Sequence, residues 1–214
     1  MLDAIAHNQS TQPQSKSMKY NPDKHHRRSI RLPGYDYSQP GAYFVTICAY
    51  QRQCLFGDVV NGQIILNQYG AIVADEWQKS SVIRQEIELD GWVVMPNHFH
   101  GIVIIKNIVG KNRDRIVKNG NVNVGANGRS PLRDNALVQM KSKSLSSLMA
   151  GFKSIATKKI NILRDTPATP LWQRNYYEHI IRDRDAMDKI RQYIINNPVS
   201  WEIDQLHPDN PSKW

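Results

Sequence analysis

Cysteine is nearly absent: Cys48 and Cys54 are the two thiols in 214 residues. That number excludes the disulfide framework of a small secreted scaffold, and their spacing is not the C-x-x-C of a redox or zinc motif. Long apolar runs are missing too. No stretch is long enough to span a bilayer, and the opening MLDAIAHNQS lacks the apolar core of a secretory signal. A reduced, cytoplasmic protein that does not enter a membrane is therefore expected. There is no internal repeat, and a hydrophobic fraction of 40% is ordinary for one globular core. Acidic residues are short against basic ones, 19 against 28, and the resulting net charge of +9 points to a polyanionic partner.

The excess charge is segregated. Residues 1–31, with the run KHHRRSIR, carry six Lys/Arg against two Asp, and residues 106–144 carry nine Lys/Arg against two Asp. Everything else is slightly acidic. Both basic stretches are rich in Asn, Gly, Ser, Gln or Pro and poor in aromatics, so they cannot bury enough surface to order themselves. They read as a flexible tail over 1–31 and a loop inserted at about 107–143 in a domain spanning 32–203, with a second tail over 204–214. Such segments serve as electrostatic arms for nucleic acid or as solubilising linkers, and the segregation favours arms.

Within the domain, GAYFVTICAY (41–50) is rich in β-branched and aromatic residues and reads as a strand, followed by the turn-rich GDVVNGQIIL. Ile65, Tyr69, Ile72, Val73 and Trp77 then recur near helical spacing. IELDGWVVM (87–95) and HFHGIVIIK (98–106) are two strands of a hairpin around Pro96 and Asn97. After the basic loop, Leu145, Leu148, Met149, Phe152, Ile155 and Ile162 form the stripe of an amphipathic helix, with Lys153, Lys158 and Arg164 on its basic side. LWQRNYYEHIIR (171–182) reads as a last strand. DRDAMDKIRQYIINNP is a helix begun by acidic residues and ended at Pro198. The order β, α, β, β, α, β predicts an α+β, ferredoxin-like or RRM-like antiparallel sheet with two helices on one face, plus an extra C-terminal helix.

Two of the seven histidines, His98 and His100, fall inside the apolar run WVVMPNHFHGIVII. Strand alternation puts both imidazoles on one face and Phe99 into the layer behind. Paired histidines on a half-buried strand can be polar surface, but the flanking Val93, Val94, Ile102, Val103 and Ile104 make polar filler unexpected. A two-imidazole fork suits a divalent metal and leaves positions open for water or substrate. On the terminal helix Tyr193 and Asn197 are four residues apart, hence on one face. Were the histidines not there, an edge aromatic and a helix-end Asn would be the preferred account of the two.

The combination MPNHFHGIV, LWQRNYYEHIIRD and IRQYIINNPVSW, preceded by YDYSQPGAYFVTICAYQRQCLFG, resembles the HUH single-tyrosine transposases, and among them the REP-associated tyrosine transposases, over about residues 30–203. The resemblance implies metal-assisted cleavage and rejoining of single-stranded DNA at hairpin, REP-like palindromic sites. It implies that His98, His100 and Asn197 hold Mg²⁺ or Mn²⁺ and that Tyr193 forms a 5′-phosphotyrosine link. It also implies action at the nucleoid, as a monomer or a homodimer. Trp172, Arg174, Arg182, Lys158 and Lys159 are candidate DNA contacts, through stacking or phosphate binding. His179 and Glu178 are weaker candidates for supporting the metal shell or the DNA, and YDYSQPG for stacking or phosphate binding. Two other readings stay open: a metal-dependent phosphohydrolase using water, and a non-catalytic nucleic-acid binder. A histidine-triad enzyme would need another His at Ile102, and no RNP-type aromatic signature is present.

Overall fold

Strand β1, Gly41–Cys48, is the centre on which the sheet registers. The computed structural model describes residues 32, 34–107 and 143–210. The predicted tail over 1–31 and nearly all of the predicted basic loop lie outside the described residues. Residues from 34 onward belong to one compact unit, Pro33–Trp214, and of the other, Met1–Leu32, only Leu32 is described.

After β1 come a small hairpin, β2 (Gly57–Val60) and β3 (Gln63–Leu66), and helix α1 (Gln68–Ile83). Next are β4 (Ile87–Val94), β5 (His98–Ile105), α2 (Leu145–Leu163), β6 (Tyr177–Ile181) and α3 (Arg184–Asn196). The main sheet has the order β4-β5-β1-β6, with every described neighbour antiparallel. This is the α+β, ferredoxin-like arrangement that the element order predicts. The helices start where side chains can take up the free N–H groups: Asn67 accepts from Tyr69 and Gly70, Ser144 forms a capping box with Ser147, and Asp183 accepts from Ala186.

The sheet buries both faces, against different partners. On one side Val45, Ile47, Phe99 and Val103 meet Trp77 of α1 and Met149 and Phe152 of α2. Gly101 is required there: a Cβ at this position would come within 2.7 Å of the Trp77 ring. On the other side Phe44, Val93, Ile102 and Ile181 meet Ile194 of α3 and Trp201.

Three expectations need correction. Ile65 is not part of the helical stripe but lies exposed on β3, and α1 begins at Gln68. Ile155 and Ile162 do not share the buried stripe of α2 but are exposed, and Ala156 and Ile160 take the inner positions. The last strand is shorter than 171–182, because Lys153 Nζ takes the carbonyls of Gln173, Arg174 and Asn175, leaving Trp172 a single bridge to Ala49.

Candidate active site

The two-residue period of β5 turns Phe99, Gly101 and Val103 toward α1 and α2, and His98, His100 and Ile102 toward α3. Both imidazoles are buried, with ring centroids 4.5 Å apart. His100 stacks on Phe44 of β1 at 5.3 Å and sets Nδ1 2.8 Å from Thr46 Oγ1. Its Nε2 lies 3.3 Å from the Tyr193 hydroxyl. His98 sets Nδ1 2.8 Å from Asn97 Oδ1 and Nε2 3.3 Å from Asn197 Oδ1.

The chain beyond α3 completes this cluster. Trp201, in a short 3-10 turn at Trp201–Ile203, is buried beside His98 and edge-on to His207. The turn brings back Asp204, whose Oδ2 accepts from Asn197 Nδ2 at 3.0 Å and whose Oδ1 accepts from the Leu206 N–H at 2.6 Å. His98, His100 and Asp204 each offer a ligand atom within 4.8 Å of the others.

Burial lowers the pKa of His98 to about 4, against the opposing pull of Asp204. His100 is pushed well below its ordinary value by burial and then by His98. Near neutrality both rings are therefore uncharged and keep a lone pair. Two neutral imidazoles, an amide oxygen and a partly buried carboxylate converging at one place form a donor set that fits a divalent cation. Tyr193 is half exposed as a residue, but its hydroxyl end turns inward to His100. Its pKa is pushed up to about 12, by burial first and then by the charge of Asp204, so the phenol holds its proton at neutral pH.

The structure brings Tyr193, His98, His100 and Asn197 together from within one chain. It treats the DNA candidates differently. Trp172 is buried against Phe56 and Phe152, so it cannot stack on a base without unpacking the core. Lys159 is committed to the buried carboxylate of Glu76 at 2.5 Å. Lys158 and Arg174 are exposed and line an open hollow of about 430 Å³ along α2, together with Lys153 and Gln173. Arg182 is exposed at the end of β6. Tyr177 and His179 lie on the histidine side, Tyr177 meeting the Phe44 ring edge-on, whereas Glu178 is buried on the alternate side of β6. In YDYSQPG, Tyr35 and Tyr37 pack with Tyr43 instead of facing solvent.

Asp204 falls in what the sequence suggests is a tail, yet residues 204–210 fold back on the site. Asn210 Nδ2 donates to the Asp204 carbonyl at 2.6 Å, and Asn97 Nδ2 donates to the Leu206 carbonyl at 2.7 Å. The one available signal was Trp201, an aromatic just past a helix end that needed something to pack on.

No family model matches the sequence. A Haemophilus influenzae protein described as uncharacterized is 40% identical over 193 residues, which is 89% of this chain and 98% of that one. The chain belongs to that protein's family. Among solved structures, a REP-associated tyrosine transposase bound to a REP hairpin is similar with a TM-score of 0.50 at 18% identity, over 79% of this chain and 73% of that one. It shares the fold. A Deinococcus radiodurans protein described as a candidate transposase gives a TM-score of 0.37 at 15% identity, over 78% of this chain and 95% of that one. Among the described residues no helix is long and apolar enough to cross a membrane.

Proposed function

We propose that the protein is a metal-dependent tyrosine transposase that cleaves and rejoins single-stranded DNA at hairpin sites. The observation that carries this reading is the Tyr193 hydroxyl 3.3 Å from His100 Nε2, at the rim of a buried cluster of cation ligands. A hydrolase needs the ligands but not the phenol.

His98, His100, Asn197 and Asp204 would hold Mg²⁺ or Mn²⁺, and the two nitrogen donors favour Mn²⁺ over the oxygen-seeking Mg²⁺. When bound, the cation supplies positive charge to the scissile phosphate. Tyr193 Oη attacks phosphorus, the P–O3′ bond breaks, and the phenolic proton is lost as the 3′-oxygen gains one. The products are a 5′-phosphotyrosine and a free 3′-hydroxyl, and attack by a second 3′-hydroxyl reverses the step without ATP. Before a cation is bound, His100 Nε2 accepts the hydrogen bond of the phenol and holds it in place. One chain supplies all of these groups, so a single protomer suffices for cleavage. Lys158, Arg174 and Arg182 are free to meet phosphates, and the partner is hairpin or single-stranded DNA in the cytoplasm.

Tyr193→Phe keeps the ring against Phe44 and removes only the attacking oxygen. The variant is expected to bind hairpin DNA like the parent and to lose both cleavage and the covalent protein–DNA adduct on a denaturing gel. Persistent metal-dependent cleavage without an adduct would make water the nucleophile and the protein a hydrolase.

A further inference from the structure

Asn97 sits in the hairpin bend before the histidine fork and is fully buried. Its amide nitrogen lies 3.2 Å from the Arg52 carbonyl and 2.7 Å from the Leu206 carbonyl. Carbonyl oxygens only accept, so the side-chain nitrogen must be the group pointing at them and the orientation of the amide is settled. Oδ1 is then the atom 2.8 Å from His98 Nδ1, and since it too only accepts, the ring must donate from Nδ1.

The consequence falls on the other ring nitrogen. A neutral His98 with its proton on Nδ1 points a bare lone pair from Nε2 at Asn197 Oδ1, 3.3 Å away. That oxygen is also only an acceptor, because Asn197 Nδ2 is spent on Asp204. Two acceptors face each other with no proton between them, a repulsive arrangement that a cation would convert into two ligand bonds. The same Asn97 amide holds the Leu206 carbonyl, two residues from Asp204, and the Arg52 carbonyl, in a turn where Gln51 and Arg52 have φ of 53° and 55°. Left-handed backbone at non-glycine residues persists only where surrounding contacts hold it.

We infer that Asn97 is the positioning residue of the cation site: it fixes the His98 tautomer that presents Nε2 and ties down the segment that delivers Asp204. This rests on the proposed metal-dependent reading for its purpose, but its geometry does not depend on DNA chemistry. A hairpin bend that only needed to turn could use many residue types, whereas this one needs a donor pair and an acceptor in one planar group.

The decisive experiment uses the full chain labelled with ¹⁵N-histidine and free of metal, with the ring nitrogens read at neutral pH by long-range proton–nitrogen correlation. His98 is assigned by the signal lost in His98→Gln. The expected result is a proton on Nδ1, the tautomer less favoured by free imidazole; a proton on Nε2 in the unaltered protein overturns the inference. Asn97→Ala, shown to be folded by circular dichroism, is expected to lose that tautomer preference and to bind Mn²⁺ roughly 10- to 100-fold more weakly in a relaxation titration of water protons. A folded Asn97→Ala protein with unchanged tautomer and Mn²⁺ affinity also overturns it. If that variant does not fold, the measurement on the unaltered chain decides alone. Failure of the transposase reading would look different: the tautomer and Mn²⁺ binding as expected, with Tyr193→Phe leaving cleavage intact.

Discussion

The two faces of strand β5 are built on opposite rules. Toward α1 and α2, Phe99 meets Trp77 at 4.6 Å and Phe152 at 5.6 Å between centroids, in contacts that need only shape and apolar area. Toward α3, one residue on either side of Phe99, two imidazoles are buried with every ring nitrogen assigned to a polar neighbour. The first face is what a sheet needs in order to exist. The second spends buried area on polar groups that packing alone would not choose, and this is how a functional site differs from a core.

Neighbouring substitutions should therefore fail in different ways. His100→Ala is expected to abolish metal-dependent cleavage and adduct formation while the protein stays folded and still binds hairpin DNA. Phe99→Ala should cost about 3–5 kcal/mol of stability in urea unfolding, through the cavity left beneath Trp77 and Phe152. Its cleavage rate, corrected for the folded fraction, should stay close to that of the parent. If the two phenotypes exchanged places, the assignment of faces would be wrong.

The difference also explains what could be read from the sequence. The fork His98 and His100 and the pair Tyr193 and Asn197 were legible because strand and helix periods are local rules that put side chains on known faces. Asp204 and Asn97 were not, since their placement depends on hydrogen bonds made across the fold, from Asn97 to Leu206 and from Asn210 to Asp204. Trp172 was misread because an aromatic beside an arginine looks the same whether it stacks on a base or fills a core. Ile155 and Ile162 fell off the α2 stripe because the buried positions Phe152, Ala156 and Ile160 advance by four, a rotation that leaves those two on the outer side.

Acid should find the polar face first. The pKa of His98 is lowered to about 4 by burial, so between about pH 6.5 and 4 the unfolded chain binds the proton that the native ring refuses. Stability is then complete above the unfolded value and is lost as pH falls through that window, on the order of 3 kcal/mol, with no further loss from this ring below its folded pKa. Asp90, held below the usual carboxylate range by Arg191, adds its own loss as pH falls from the ordinary carboxylate value through its lower folded value. Urea unfolding at a series of pH values should show the slope in the parent and in Phe99→Ala, and a shallower slope in His98→Ala. Equal slopes in all three would mean that the acid sensitivity lies elsewhere.

The smallest effect expected concerns how α3 is held against the sheet. The pairing of β4 with β5 shifts register between Leu89 and Trp92, and Asp90 in that irregularity receives Arg191 Nε at 2.9 Å and Nη2 at 2.7 Å. Arg191 is two residues before Tyr193, so this two-pronged contact fixes the helix close to the phenol. The arginine is 42% exposed, however, and a solvated pair is screened and contributes little. The apolar contacts of Ile194 with Phe44, Val93 and Ile102 remain when it is removed. Arg191→Ala should thus leave stability in urea unfolding close to that of the parent, and any small loss should shrink further in high salt. It should slow single-turnover cleavage several-fold without weakening hairpin binding, because a loosened helix places the Tyr193 oxygen correctly less of the time. A large loss of stability would mean that the ion pair, and not the apolar face, seats α3; an unchanged cleavage rate would mean that His100 alone positions the phenol.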